Sequence, residues 1–132
     1  MVIDTSAIIA IVAKEPERDI FTEIVAAELT AAISTVTFYE ASIVTAKKIG
    51  TSQAARRVDD FVREMRIDIV PFTIEDAFTA RDSYFRYGRG YHAAGLNFAD
   101  CFAYALAKAR NEPLLFKGDD FSKTDIVPAW RP

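Results

Sequence analysis

Asp4, Glu40, Asp100 and Asp119 lie far apart in the sequence, yet all four fall where the pattern of strands and helices predicts one edge of a sheet. Asp4 closes the opening apolar run Met1–Ile3. Glu40 falls in the first turn of the helix predicted after the second strand. Asp100 falls in the first turn of the helix that follows a glycine-rich loop, and Asp119 comes a few residues after the fourth strand. If the sheet is parallel, right-handed crossovers put the carboxyl ends of all strands at one edge. Ligands of open α/β sheets bind there, in the crevice beyond the strand ends. Carboxylates gathered in one small volume repel, so they must hold protons or a cation. An oxygen-only donor set suits a hard ion, Mg²⁺ or Mn²⁺. Such an ion would draw in a phosphodiester and lower the pKa of a bound water, so phosphodiester hydrolysis is the expected chemistry.

The elements that must position these acids are legible in the hydrophobic pattern. Ala7–Ala13 reads as a buried strand-to-helix passage. Ile20, Phe21, Ile24 and Val25 recur at helical spacing, which predicts a helix over about Glu17–Leu29. A second strand, Ala32–Val36, precedes a helix from about Thr37 to Ile49 that Gly50 stops. Val58, Phe61, Val62 and Met65 form the stripe of another helix. Asp68–Phe72 reads as a strand that its proline places at a sheet edge. Thr73 with Asp76 forms a capping-box pattern and opens a helix to about Phe85. Tyr87–Gly95 is a loop, Asn97 caps a helix over Phe98–Arg110, and Pro113–Phe116 is a fourth strand. A last short strand is expected over Ile126–Val127. Strands alternating with helices predict an α/β fold: one domain, 1–132, with a central mostly parallel sheet of four to five strands flanked by helices on both faces.

Composition narrows the class. The 132 residues are 51% hydrophobic and 27% charged, which excludes a disordered chain, a collagen-like fibre and a disulfide scaffold. The single cysteine, Cys101, supplies neither an internal bridge nor a thiolate zinc cluster. A net charge of −3 argues against a broad basic nucleic-acid surface, although a metal can carry the positive charge locally. No apolar run approaches the roughly 20 residues of a spanning helix, so no membrane association and a cytoplasmic location are expected.

The motifs around the acids resemble those of the PIN-domain ribonucleases, and closely the VapC toxins of type II toxin–antitoxin systems. Val2-Ile3-Asp4-Thr5-Ser6-Ala7 is similar to that family's first motif, and Glu40, following Ser34-Thr35-Val36-Thr37, to its second. Gly95–Ala105, containing Asn97 and Asp100, is similar to the third, and Leu114–Phe121 to the fourth. The resemblance implies a PIN-like domain and a divalent-metal endoribonuclease that cuts RNA and is inhibited by a cognate VapB-type antitoxin. It assigns Asp4, Glu40 and Asp100 as catalytic metal ligands, with Glu40 also orienting the attacking water. Many members carry the fourth acid where this chain has Gly118; Asp119 is the nearest substitute and Asp120 the competitor. Thr5 and Ser6 are implied to position the water shell or the phosphate. A homodimer is implied too, as is an antitoxin segment that places an arginine among the carboxylates. Its groove is expected to include parts of the helices near Ile20–Leu29 and Val58–Met65, with DNA binding left to the antitoxin.

Other residues read differently. Arg89, by the glycine-rich loop, and Lys117, just before Asp119, are candidates for meeting RNA phosphates. His92 reads as solvated and Cys101 as a core thiol. Phe98 and Phe102 read as helix packing rather than a base-stacking platform. Two rival functions remain at this level. One is a catalytically silent PIN-like module that only binds a partner; the other is a phosphatase with Asp4 as nucleophile, which would ordinarily want an acid where Ser6 stands.

Overall fold

Alternate residues of three of the four short strands are buried on opposite faces of one sheet. The computed structural model describes residues 1–132, with strands β1 (Val2–Ile3), β2 (Ala32–Ser34), β3 (Asp68–Val70) and β4 (Leu114–Leu115). They lie in the order β3-β2-β1-β4 and every pairing is parallel, with Val2 opposite both Ala32 and Leu114 and Ile3 opposite Leu115. Ile3, Ile33 and Leu115 face one core, where they meet Ile8, Phe21, Val25 and Val58. Val2, Ala32 and Leu114 face the other, against Ala80, Tyr104 and Leu106. Burial on both faces explains why the strands are continuous apolar runs rather than alternating ones. The expected α/β architecture is therefore observed, and β3 takes the edge position that Pro71 suggests.

Six helices join the strands: α1 (Thr5–Val12), α2 (Arg18–Ala27), α3 (Thr35–Ile49), α4 (Arg56–Glu64), α5 (Ile74–Tyr87) and α6 (Asp100–Arg110). No helix is long and apolar enough to cross a membrane. Helix α1 starts at once after β1, because the Asp4 carboxylate accepts from the Ser6 N–H at 2.8 Å and serves as its N-cap. Helix α3 starts two residues earlier than the sequence suggests. The Ser34 hydroxyl accepts from the Thr37 N–H at 2.9 Å, which ends β2 at Ser34. Glu40 consequently stands in the second turn of α3, not the first. The Thr73–Asp76 capping box of α5 is present as expected.

The fifth strand does not form. Leu114 N–H donates to the Val127 carbonyl at 2.9 Å and Ala129 N–H to the Leu114 carbonyl at 2.8 Å, leaving a single bridge to Pro128.

Candidate active site

The carboxyl ends of β1, β2 and β4 open onto a cleft of about 290 Å³ lined by Asp4, Thr5, Ser6, Glu15, Glu40, Asn97, Asp100 and Lys117, with Ile9 and Val44 beneath. Three of the four acids picked out in the sequence therefore share one cavity. Each is held by a neighbour. The Ser6 hydroxyl donates to Asp4 Oδ2 at 2.5 Å and itself accepts from the Lys117 N–H at 2.9 Å, which ties the exit of β4 to the exit of β1. The Thr5 hydroxyl donates to Glu40 Oε2 at 2.5 Å, bringing α3 against α1. Asp100 Oδ2 accepts from the Asn97 N–H at 2.7 Å, while Asn97 Oδ1 accepts from the N–H groups of Ala99 and Asp100. Asp100 thus both closes a reciprocal cap at the start of α6 and lines the cleft.

Electrostatics mark the same cluster. Burial raises the Asp4 carboxyl above the ordinary carboxylate range, against the opposing pull of its bonds to Ser6. Burial likewise raises Glu40, with the nearby Asp4 charge adding to it. Asp100 is pushed up to about 7, first by burial and then by the charges of Asp4, Asp120 and Glu40. Groups that raise one another in a cleft share a field, and strongly perturbed acids of this kind concentrate at functional sites.

The fourth acid is placed differently from the sequence reading. Asp119 points away from the cleft: its carboxylate is 2.7 Å from Lys123 Nζ, its side chain is 75% exposed, and the lysine holds it below the usual carboxylate range. Asp120 is the residue whose charge reaches both Asp4 and Asp100. Gly118, at φ +101°, sets this turn. Adjacent residues in a turn point in different directions, and nothing in the Gly-Asp-Asp pattern says which faces inward.

Of the basic candidates, Lys117 lines the cleft, but its Nζ is 2.8 Å from Glu15 Oε2 and 2.7 Å from Glu17 Oε2. Lys48 pairs with Glu15 from the other side. The lysine's charge is therefore largely spent within the molecule. Arg89 is exposed on the glycine-rich loop and is not among the cleft residues. Glu15 and Asn97 are cleft residues that the sequence reading did not assign. Asn97 was visible as a cap, whereas Glu15 carried no signal, since its place depends on how the α1–α2 turn folds back.

The donor chemistry fits a hard divalent cation: carboxylate oxygens, no thiolate or imidazole among the lining residues, and an unneutralised mutual repulsion. As they stand, no three such side chains are grouped closely enough to hold an ion.

Comparison with known proteins finds relatives along nearly the whole chain. The family model described as the PIN domain matches residues 1–127. Ribonuclease VapC30 of Mycobacterium tuberculosis is 40% identical over 132 residues, covering all of both chains. A ribonuclease VapC of Mycolicibacterium smegmatis is 41% identical over 127 residues, covering 96% of this chain and 98% of its own. Among solved structures, M. tuberculosis VapC20, a toxin that cleaves the sarcin-ricin loop, superposes with a TM-score of 0.80 at 17% identity, covering 99% of this chain and 98% of that one. VapBC2 of Rickettsia felis, solved bound to a DNA fragment from its promoter, gives 0.73 at 19% identity over 96% and 94%. At those identities the two structures speak for the fold.

Proposed function

The chain belongs to the PIN-domain family, and from that premise we propose that it is a VapC toxin: an endoribonuclease that hydrolyses RNA phosphodiester bonds and is restrained by a cognate VapB-type antitoxin. The observation that carries this reading is the meeting of Asp4, Glu40 and Asp100, from three distant segments, in one cleft where each resists ionisation. A negatively charged substrate would be repelled by such a site without a cation.

Asp4, Glu40 and Asp100 are the residues to hold Mg²⁺ or Mn²⁺, with Asp120 rather than Asp119 at the rim. When bound, the ion supplies positive charge against the phosphate and an acidified water. The chain's own residues do the rest. Ser6 and Thr5 each occupy one oxygen of Asp4 and Glu40, which fixes both carboxylates and leaves the second oxygen of each as ligand or base. Glu40, with its pKa raised, is suited to take a proton from the attacking water. Asn97 anchors Asp100 at the start of α6, its N–H opposing in part the rise that burial imposes on the carboxyl.

The antitoxin is expected over the groove of about 300 Å³ between α1, α2 and α4, where Ile11, Val12, Phe61 and Met65 lie among charged residues such as Arg18, Arg57 and Glu64. An arginine from it, reaching the carboxylates, would substitute bidentate contacts for the metal charge. The protein acts in the cytoplasm as a single-domain subunit of a homodimer, and DNA contact belongs to the antitoxin.

The test is cleavage of cellular RNA by the purified chain in Mg²⁺ or Mn²⁺. Activity should fall at least about a hundredfold in chelator and in Asp4→Asn, and coexpressed antitoxin should suppress growth arrest. Cleavage that persists unchanged in both chelator and Asp4→Asn would overturn the reading.

A further inference from the structure

We propose that the aromatic pocket between α5 and α6 holds one unstacked base of the RNA, adjacent to the bond that is cut. This rests on the ribonuclease reading above and extends it to substrate selection.

The pocket, about 330 Å³, is walled by Phe98 and Phe102 of the α6 entry, by Phe72 just after β3, and by Tyr84 and Phe85 of α5. Its volume falls at the lower end of the roughly 300–1,000 Å³ of small-ligand pockets. Phe98 was expected to pack within a helix face; instead it is 74% exposed. Its ring stands edge-on to Phe102 with centroids 4.9 Å apart, and Phe102 stands edge-on to Phe72 at 4.7 Å. Three linked rings therefore form one wall, and Phe85, 57% exposed, faces the same space from the other helix.

Three observations favour a nucleobase as the occupant. First, Phe98 is two residues from Asp100, so two residues of chain, at most about 7 Å, separate the pocket wall from the acidic cleft. The pocket and the cleft flank the same helix start at the carboxyl edge of the sheet. Second, the one charged lining residue is Arg81, whose side chain is 61% exposed and has only the exposed Asp82, at 3.5 Å, for an ionic neighbour. A cation at the mouth of an apolar slot suits a base whose phosphate remains outside. Third, the lining is almost wholly aromatic and apolar, which offers stacking and edge contacts to a base while withholding hydrogen bonds.

The experiment uses the full chain with its divalent ion and a short single-stranded RNA that the wild type cuts, in which one abasic nucleotide is stepped along either side of the scissile bond. The wild type should show a single position where loss of the base raises KM about fivefold to a hundredfold, as expected for one base–aromatic stack. Phe98→Ala should raise KM for the intact RNA by a like factor, with kcat within about twofold, and should lose the sensitivity at that position. Phe98→Tyr should restore it. Phe85→Ala, from the opposite wall, should repeat the pattern. Unaltered KM and an unaltered abasic profile in both alanine variants would overturn the proposal. So would a fall in solution mass to that of a single chain, by light scattering, with the profile intact, because the patch would then be a face between copies. A wild type that cuts no RNA at all removes the ribonuclease reading itself, a failure visible before any Phe98 variant is made.

Discussion

Thr5 Oγ1 donates to Glu40 Oε2 at 2.5 Å, joining the first turn of α1 to the second turn of α3 across 35 residues of sequence. This bond orients the one candidate base of the site, and it depends on a hydroxyl that the backbone of α1 does not need. Thr5→Val keeps the shape and removes the donor. RNA cleavage should fall about tenfold to a hundredfold, the value of one hydrogen bond to a charged group, with the melting temperature little changed; Thr5→Ser should stay near wild type. Initial-rate assays with thermal melts of the three proteins check this.

Asp119 and Asp120 should separate cleanly. Asp119 is committed to Lys123 on the surface, whereas Asp120 bears on Asp4 and Asp100. Asp119→Asn is expected to cleave RNA within about twofold of wild type. Asp120→Asn should lower cleavage by about tenfold or more and weaken Mn²⁺ binding measured by calorimetry. Equal effects would return the fourth position to either residue.

The metal-free protein should be weakened by its own active site as pH rises. Asp100 titrates near 7 in the fold against 3.8 for the unperturbed group. Between these values the folded state holds the proton more tightly, so stability declines as pH rises through the window and the loss is complete above about 7. Asp100→Asn removes that penalty. In chelator its melting temperature should exceed that of wild type at pH 8, and the gap should close by pH 5. Millimolar Mn²⁺ at pH 8 should raise the wild type and not the variant, since only a ligand of the native state stabilises it. A gap independent of pH would show that the Asp100 charge is not the cause.

Lys117 gives a contrasting expectation. Its Nζ is engaged by Glu15 and Glu17, two acids of the α1–α2 turn. Lys117→Met should lower the melting temperature by roughly 1–4 °C, in line with the modest worth of partly exposed ion pairs. The loss should shrink in 1 M salt, where the pairs are screened. If Lys117 contacts RNA instead, the dominant change will be in KM at unaltered melting temperature.

Core packing is less forgiving than these surface effects. Phe21, on the inner face of α2, is fully buried and meets Trp130 edge-on with centroids 5.2 Å apart. Phe21→Ala should cost about 3–5 kcal/mol, a large part of the stability of a domain this size, and should be seen as loss of soluble protein and a collapsed urea midpoint.

The alternation of strands and helices is written in the local pattern of residues, and with it the carboxyl edge to which Asp4, Glu40 and Asp100 belong. Apolar runs of strand length, helical spacing and capping residues such as Asp4, Ser34, Thr73 and Asn97 are local signals, read within a few residues. Other features arise only when distant segments meet. Asp120 rather than Asp119 faces the other acids because a positive-φ turn at Gly118 sets two neighbouring side chains in different directions. Lys117 is spent on Glu15 and Glu17 because two turns a hundred residues apart fold against each other. Phe98, which sequence reading assigned to packing, stands in solvent beside the cleft because α6 begins two residues after it, leaving its ring outside the buried face. Side-chain direction and pairing depend on through-space neighbours, and those exist only once the chain has closed.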